Sequence, residues 1–270
     1  MWVTSQSFAG LTVTLYTQSD GQPSGYRDPK SYGGEFTAVL SGNTALNTYE
    51  LANYSSKAEA KLSNGSTGIE TFCIEINQVF SPGTSYNAQI ENAVVPGGPD
   101  SYIALGTAYL YSQFAMGTLS DFTYSTSGTG RELTSDELQD AIWYLQGEIT
   151  SSGKVSVSGS EISTVNDSLY TFNALTDPFI LLAEEAIEKS TNSAALAAIE
   201  ANGNGAYNVL ALDLTGSKGQ TAQDQLIYCP VPEPATVAAG AILLFPLGFS
   251  TIRALRKNKK SRIAISKNEN

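Results

Sequence analysis

Residues 71–77 read Thr71-Phe72-Cys73-Ile74-Glu75-Ile76-Asn77. Phe72, Ile74 and Ile76 occupy alternate positions, the period of two that a β-strand imposes, so the segment is predicted to be a strand with one apolar face. Cys73 shares the other face with Thr71, Glu75 and Asn77. A cysteine kept only for packing belongs on the apolar face, so this one is singled out for chemistry. Working outward, the same alternation marks Leu11-Val13-Leu15, Phe36-Ala38-Leu40 and the late run Tyr207-Val209-Ala211-Leu212. Gln225-Leu226-Ile227-Tyr228 reads as a last strand. Turns such as Ser41-Gly42-Asn43 and Asn202-Gly203-Asn204-Gly205 separate them.

The middle of the chain has a different period. Residues 100–118, 134–149 and 176–201 are predicted helical. The second is expected to start at Thr134-Ser135-Asp136-Glu137, whose hydroxyl and acidic groups suit a helix N-cap and first turn. Strands at both ends with helices between them predict a mainly β, antiparallel domain carrying an inserted helical subdomain. On the helix Glu137-Leu138-Gln139-Asp140-Ala141-Ile142-Trp143-Tyr144-Leu145, a turn of about 100° per residue places Gln139 inside the apolar arc, between Ile142 and Trp143. A buried amide needs a partner, because leaving it unpaired costs on the order of 1–3 kcal/mol.

Composition narrows the chemistry. The 270 residues contain no histidine, which excludes a histidine base and histidine-ligated metals. The two cysteines, Cys73 and Cys229, have no metal spacing, and no cofactor is expected. Residues 1–232 hold 8 Lys and Arg against 24 Asp and Glu, a net of −16, whereas residues 233–270 hold 7 against 2, a net of +5. An acidic body repels nucleic acid. Tyr102, Tyr109, Tyr111 and Phe114 are spaced for helix packing rather than for a sugar platform, and Trp143 for a core anchor. Asp136, Glu137 and Asp140 suit a helix start without a metal. Two carboxylates would suffice for glycoside hydrolysis, but no pair stands out.

The charge asymmetry has a local origin. Ala235 to Ile252 is eighteen residues without a charge. As a helix it would span roughly 27 Å, close to one hydrocarbon core. Arg253, Arg256, Lys257, Lys259, Lys260 and Arg262 follow it, so the C-terminus is expected on the cytoplasmic side and the body outside. Pro232-Glu233-Pro234 precedes the span. This series over residues 231–262 resembles the PEP-CTERM sorting signal. The resemblance implies an exosortase-type membrane protease as partner, removal of the tail, and export to the cell surface or extracellular matrix of a bacterium that builds extracellular polysaccharide. Members of that family carry an N-terminal leader. Met1 here opens MWVTSQSFAGLTVTLYTQ, in which no basic region and long apolar run of a signal peptide is visible.

The segments Phe72-Cys73-Ile74-Glu75-Ile76 and Leu138-Gln139-Asp140-Ala141-Ile142-Trp143 resemble the two signatures of thioester domains on bacterial surface adhesins. In that family a strand cysteine attacks a helix-borne glutamine amide, expels ammonia and leaves an internal thioester that captures amines. The resemblance implies Cys73 and Gln139 as the cross-linking pair, an antiparallel β-sandwich with inserted helices over residues 1–229, adhesion to an amine-bearing target, and no enzymatic turnover. Read from the residues alone, an ordinary structural thiol and a Cys73–Cys229 disulfide stay open, as does a structural or carbohydrate-binding matrix protein without a thioester.

Overall fold

The computed structural model describes residues 10–17, 33–92, 102–126, 129–157, 160–164, 171–191 and 195–230. All of them fall in the unit Met1–Pro230. The sorting motif Pro232-Glu233-Pro234, the apolar span and the basic end lie outside the described residues.

Seven strands form one antiparallel sheet: β1 (Thr12–Tyr16), β2 (Phe36–Ser41), β3 (Glu59–Lys61), β4 (Thr67–Thr71), β5 (Ser85–Glu91), β8 (Val209–Thr215) and β9 (Thr221–Tyr228). Their order is β3-β4-β2-β1-β5-β8-β9. β6 (Lys154–Val157) and β7 (Ser160–Thr164) pair separately as a hairpin. The expected strands at 11–15, 36–40, 207–212 and 225–228 are present within a few residues of their anticipated bounds.

The sheet closes on itself. The strand expected over 71–77 is cut short: β4 ends at Thr71, and the chain makes one further bridge, to β9, before bending at Ile74. In that bridge Ile74 N–H donates to the Asp224 carbonyl (3.0 Å), and Leu226 N–H donates to the Phe72 carbonyl (3.1 Å). Cys73 stands opposite Gln225 between these bonds. The expected two-sheet sandwich is therefore corrected to one rolled sheet of six strands, with β3 on its outside. Val13, Leu15, Phe36, Ala38 and Leu40 share its inward face by register and are 3% exposed or less. The bridge at Cys73 joins the two ends of the six-stranded run, while β3 lies at an edge.

Helices cover much of the outward face. α1 (Thr44–Asn53) follows β2, and its Asn43 cap accepts from Leu46 N–H (3.0 Å). α2 (Leu105–Ala115), α3 (Gly130–Leu145), α4 (Pro178–Thr191) and α5 (Ala195–Ile199) lie between β5 and β8, as the inserted helical subdomain required. α4 starts sharply: Pro178 needs no N–H in the first turn, and Asp177 Oδ1 accepts from Phe179 and Ile180 (3.0 and 2.9 Å). Phe72 packs edge-on against Tyr111 and Phe114 of α2. Phe72 and Ile74 thus point to the helices while Cys73 points into the rolled sheet, so both faces of this strand are buried. Among the described residues no helix is long and apolar enough to cross a membrane.

Candidate functional site: a cysteine between two glutamine amides

The backbone of Cys73 decides what surrounds it. Opposite Gln225 it occupies the non-hydrogen-bonded position of an antiparallel pair, so its own N–H and C=O point away from β9. On that far side the register of β2 with β4, Phe36 against Thr71, would bring Gly34 opposite Cys73 if continued. A side chain takes that place instead. Gln139 Oε1 accepts from Cys73 N–H (2.9 Å), and Gln139 Nε2 donates to the Cys73 carbonyl (2.8 Å). The Gln139 amide therefore acts as a one-residue strand. Its Cδ, bonded to both clasping atoms, lies beside the Cys73 main chain, and the sulfur is two bonds from the clasped Cα. Gln139 is buried, as its place in the apolar arc required.

The backbone of Gly33 presses on the same group. A Cβ there would stand 2.5 Å from Gln139 Cγ and 2.5 Å from the Trp143 ring, so only glycine lets the chain pass this close. The amide is sealed from water on that side, with Trp143 as a wall. Trp143 is buried in the core as expected.

The sulfur itself meets a second amide. Gln225 Nε2 lies 3.3 Å from Cys73 Sγ and also donates to the Gln223 carbonyl (3.2 Å), while the thiol is 3.8 Å from Gln225 Oε1. Gln225 is fully buried and shares its face with Leu212, its register partner, and with Ile227. A sulfur is a weak partner for an amide in apolar surroundings. Sequence reading placed Gln225 on a strand but gave it no role. The signal was there in the alternation that sets an amide on the same face as Ile227.

α3 reaches the site with a buried polar stripe at a spacing of four: Arg131, Ser135 and Gln139. It begins a turn earlier than expected, at Gly130, so Thr134 and Ser135 are interior rather than capping. The cause is a buried ion pair in the first turn. Arg131 Nε and Nη2 both grip the Glu35 carboxylate, the first at 2.9 Å, and Ser135 Oγ donates to Glu35 Oε2 (2.9 Å). Thr37 Oγ1 donates to the neighbouring Glu70 (2.8 Å). Burial, and then the negative charge of Glu35, hold Glu70 well above the usual carboxylate range. One proton on Glu70 leaves Glu35 as the partner of Arg131. Two turns beyond Gln139, Gln146 makes the same kind of clasp: it accepts from Ala104 N–H (2.8 Å) and donates to the Tyr102 carbonyl (2.9 Å).

Past the bend at Ile74, Glu148 Oε2 accepts from Ile76 N–H (3.1 Å). Glu75 accepts from Asp224 N–H (3.1 Å), and burial, with the charges of Glu148 and Asp213, raises it to about 7. No disulfide joins Cys73 and Cys229. Cys229 sits beside Glu50, and burial pushes its thiol upward, as does the carboxylate. Asp136, Glu137 and Asp140 form no metal-binding group, and none exists among the described residues. Tyr111 and Phe114 are core, while Tyr102 and Tyr109 are half-buried against it. Comparison of the chain with protein-family models, curated proteins and solved structures finds no match.

Proposed function

We propose that this chain is an exported, exosortase-processed surface or matrix protein whose body carries a Cys73–Gln139 thioester for covalent attachment to amine-bearing targets. The observation that carries the reading is the seating of the Gln139 amide on the peptide of the one cysteine buried in the rolled sheet. Closure would form the Sγ–Cδ bond, break the Cδ–Nε2 bond and pass the thiol proton to the departing nitrogen, which leaves as ammonia. A thioester enclosed by Trp143, Gly33 and the rolled sheet is shielded from water yet remains an acyl donor. An amine that attacks Cδ becomes an amide on Gln139 and returns a proton to the sulfur. Each molecule reacts once, so the protein is not a turnover enzyme. Pro232-Glu233-Pro234, a membrane helix over residues 235–252 and the basic residues Arg253 to Arg262 supply the sorting tail in this reading.

Intact mass tests it. Protein never exposed to amines should weigh less than its sequence by one ammonia and should regain mass when methylamine is added. Cys73→Ala and Gln139→Ala should each abolish the deficit. A disulfide would instead remove two hydrogens and respond to reductant.

A second reading rests on Gln146. Its clasp of Tyr102 and Ala104 involves no cysteine, so a buried glutamine can serve this fold as a backbone fastener alone. The body is then a structural or carbohydrate-binding matrix component, with the hollow between Tyr102, Tyr144 and Glu200 as the place for a sugar ring. Full sequence mass with a titratable Cys73 selects this reading.

A further inference from the structure

We infer that Gln225 is a catalytic residue of the Cys73 chemistry, the group that holds the sulfur while its bond to Gln139 forms and breaks. The inference rests on the thioester reading and adds a component which that reading does not contain. Two amides flank Cys73 with separate tasks. Gln139 binds the main chain through both its polar atoms, and Gln225 contacts the sulfur through both of its own. The division follows from strand geometry: at a non-hydrogen-bonded pair the side chains stand side by side while the peptide groups face outward.

Negative charge develops on sulfur at two moments. During closure the thiol gives up its proton as Sγ bonds to Cδ, and that proton leaves with Nε2 of Gln139 as ammonia. During opening an amine nitrogen bonds to Cδ, the C–S bond breaks with its electron pair on sulfur, and an amine proton then restores the thiol. A donor fixed 3.3 Å from Sγ stabilises sulfur in both transition states without having to reorganise. Gln225 Nε2 is that donor, anchored by its second bond to the Gln223 carbonyl. Gln225 Oε1, 3.8 Å from Sγ, is the acceptor for the thiol proton before closure. Beside Leu212 and Ile227, the buried Gln225 amide is partnered by the Gln223 carbonyl and the Cys73 sulfur, and a methionine of similar volume would remove both contacts.

The test compares full-length wild type with Gln225→Met, which keeps length and volume but has no N–H. The variant should still fold, with a modest loss of thermal stability from the missing bond to the Gln223 carbonyl. The rate of mass gain in methylamine should fall by roughly 10- to 100-fold, the range of a hydrogen bond to a developing charge. Gln225→Asn, a shorter amide, should recover part of that rate. Equal opening rates in wild type and Gln225→Met would overturn the inference.

A second measurement does not need the thioester. In a Gln139→Glu chain, which has no amide nitrogen to lose, adding Gln225→Met should move the pH midpoint of Cys73 alkylation upward; an unmoved midpoint overturns the sulfur contact. Wild type of full sequence mass would sink the thioester reading alone, and a moved midpoint would then still uphold Gln225 as the sulfur's partner. A mass deficit that survives Gln139→Glu would make Gln225 the acyl donor and overturn both assignments.

Discussion

At the scale of the residue, several positions hold an unusual neighbour at close range, and each gives an expected outcome. Gly33 meets Gln139 and Trp143 at a distance no Cβ tolerates. Gly33→Ala should destabilise the fold by about 1–3 kcal/mol, read as a lower urea midpoint at unchanged slope, because neither backbone nor indole can yield freely. Glu50 is a different anomaly. It is fully buried on α1, and the neighbouring Cys229 thiol offsets only part of the cost of burying its carboxylate. Burial raises it from 4.5 to about 7. The unfolded chain therefore releases this proton near 4.5 while the folded chain keeps it, so the stability tied to it is complete below 4.5 and is lost as pH rises to about 7. Unfolding midpoints should fall across that window. Glu50→Gln should remove its share, at most about 3 kcal/mol, and leave a shallower slope from Glu75, which titrates in the same direction.

At the scale of the element, α3 is the part that converts sequence into a site. Its buried stripe and its C-cap fasten three places in turn: Glu35 through Arg131 and Ser135, Cys73 through Gln139, and the Tyr102–Ala104 segment through the cap residue Gln146. Removing Arg131 leaves a fully buried carboxylate without its cation. Arg131→Met should cost about 3–5 kcal/mol in chemical denaturation, and Arg131→Met with Glu35→Leu much less. If the Arg131–Glu35 pair also sets the position of Gln139, the double variant should fold yet lose the mass deficit of the parent; a retained deficit would show that the pair does not position Gln139.

α3 also shows what was legible beforehand. Its apolar arc exposed Gln139 as an amide with nowhere wet to go. Period two set Cys73 opposite Phe72 and Ile74, but the expectation that this takes it off the core is corrected: its face is the apolar interior of the rolled sheet. The start at Gly130 was not legible, since Arg131 looks like a surface residue until Glu35, 96 positions away, is placed beside it. Ser85–Glu91 was missed although its alternate residues Tyr86, Ala88 and Ile90 are buried. Its polar outer residues diluted an otherwise strand-like pattern. Roll-up of the sheet was invisible for a related reason: the pairing of Cys73 with Gln225 spans 152 positions and leaves no local periodicity.

At the scale of the whole molecule, the acidic body and basic tail predict a direction in a membrane. Replacing Pro232, Glu233 and Pro234 with alanine should leave unprocessed protein in the inner membrane, detected by fractionation; release equal to the parent would favour a plain anchor. On the proposed sorting reading, with a leader upstream, a reporter fused after Asn270 should be active only in the cytoplasm, the side that the positive-inside rule assigns to the basic residues from Arg253 to Arg262.

The last strand gives the body a mechanical property. β9 lies between β8 on one side and the Phe72–Ile74 segment on the other, and the chain leaves it at Tyr228 toward Pro230. A tensile load applied at Pro230 enters along β9, parallel to the strand. Its backbone hydrogen bonds to both neighbours lie across the pull, so they are loaded together in shear rather than opened one after another. The two bonds to the Phe72–Ile74 segment add to the row shared with β8. A strand held on both flanks resists such a load better than an edge strand, and Cys73 sits on one of those flanks.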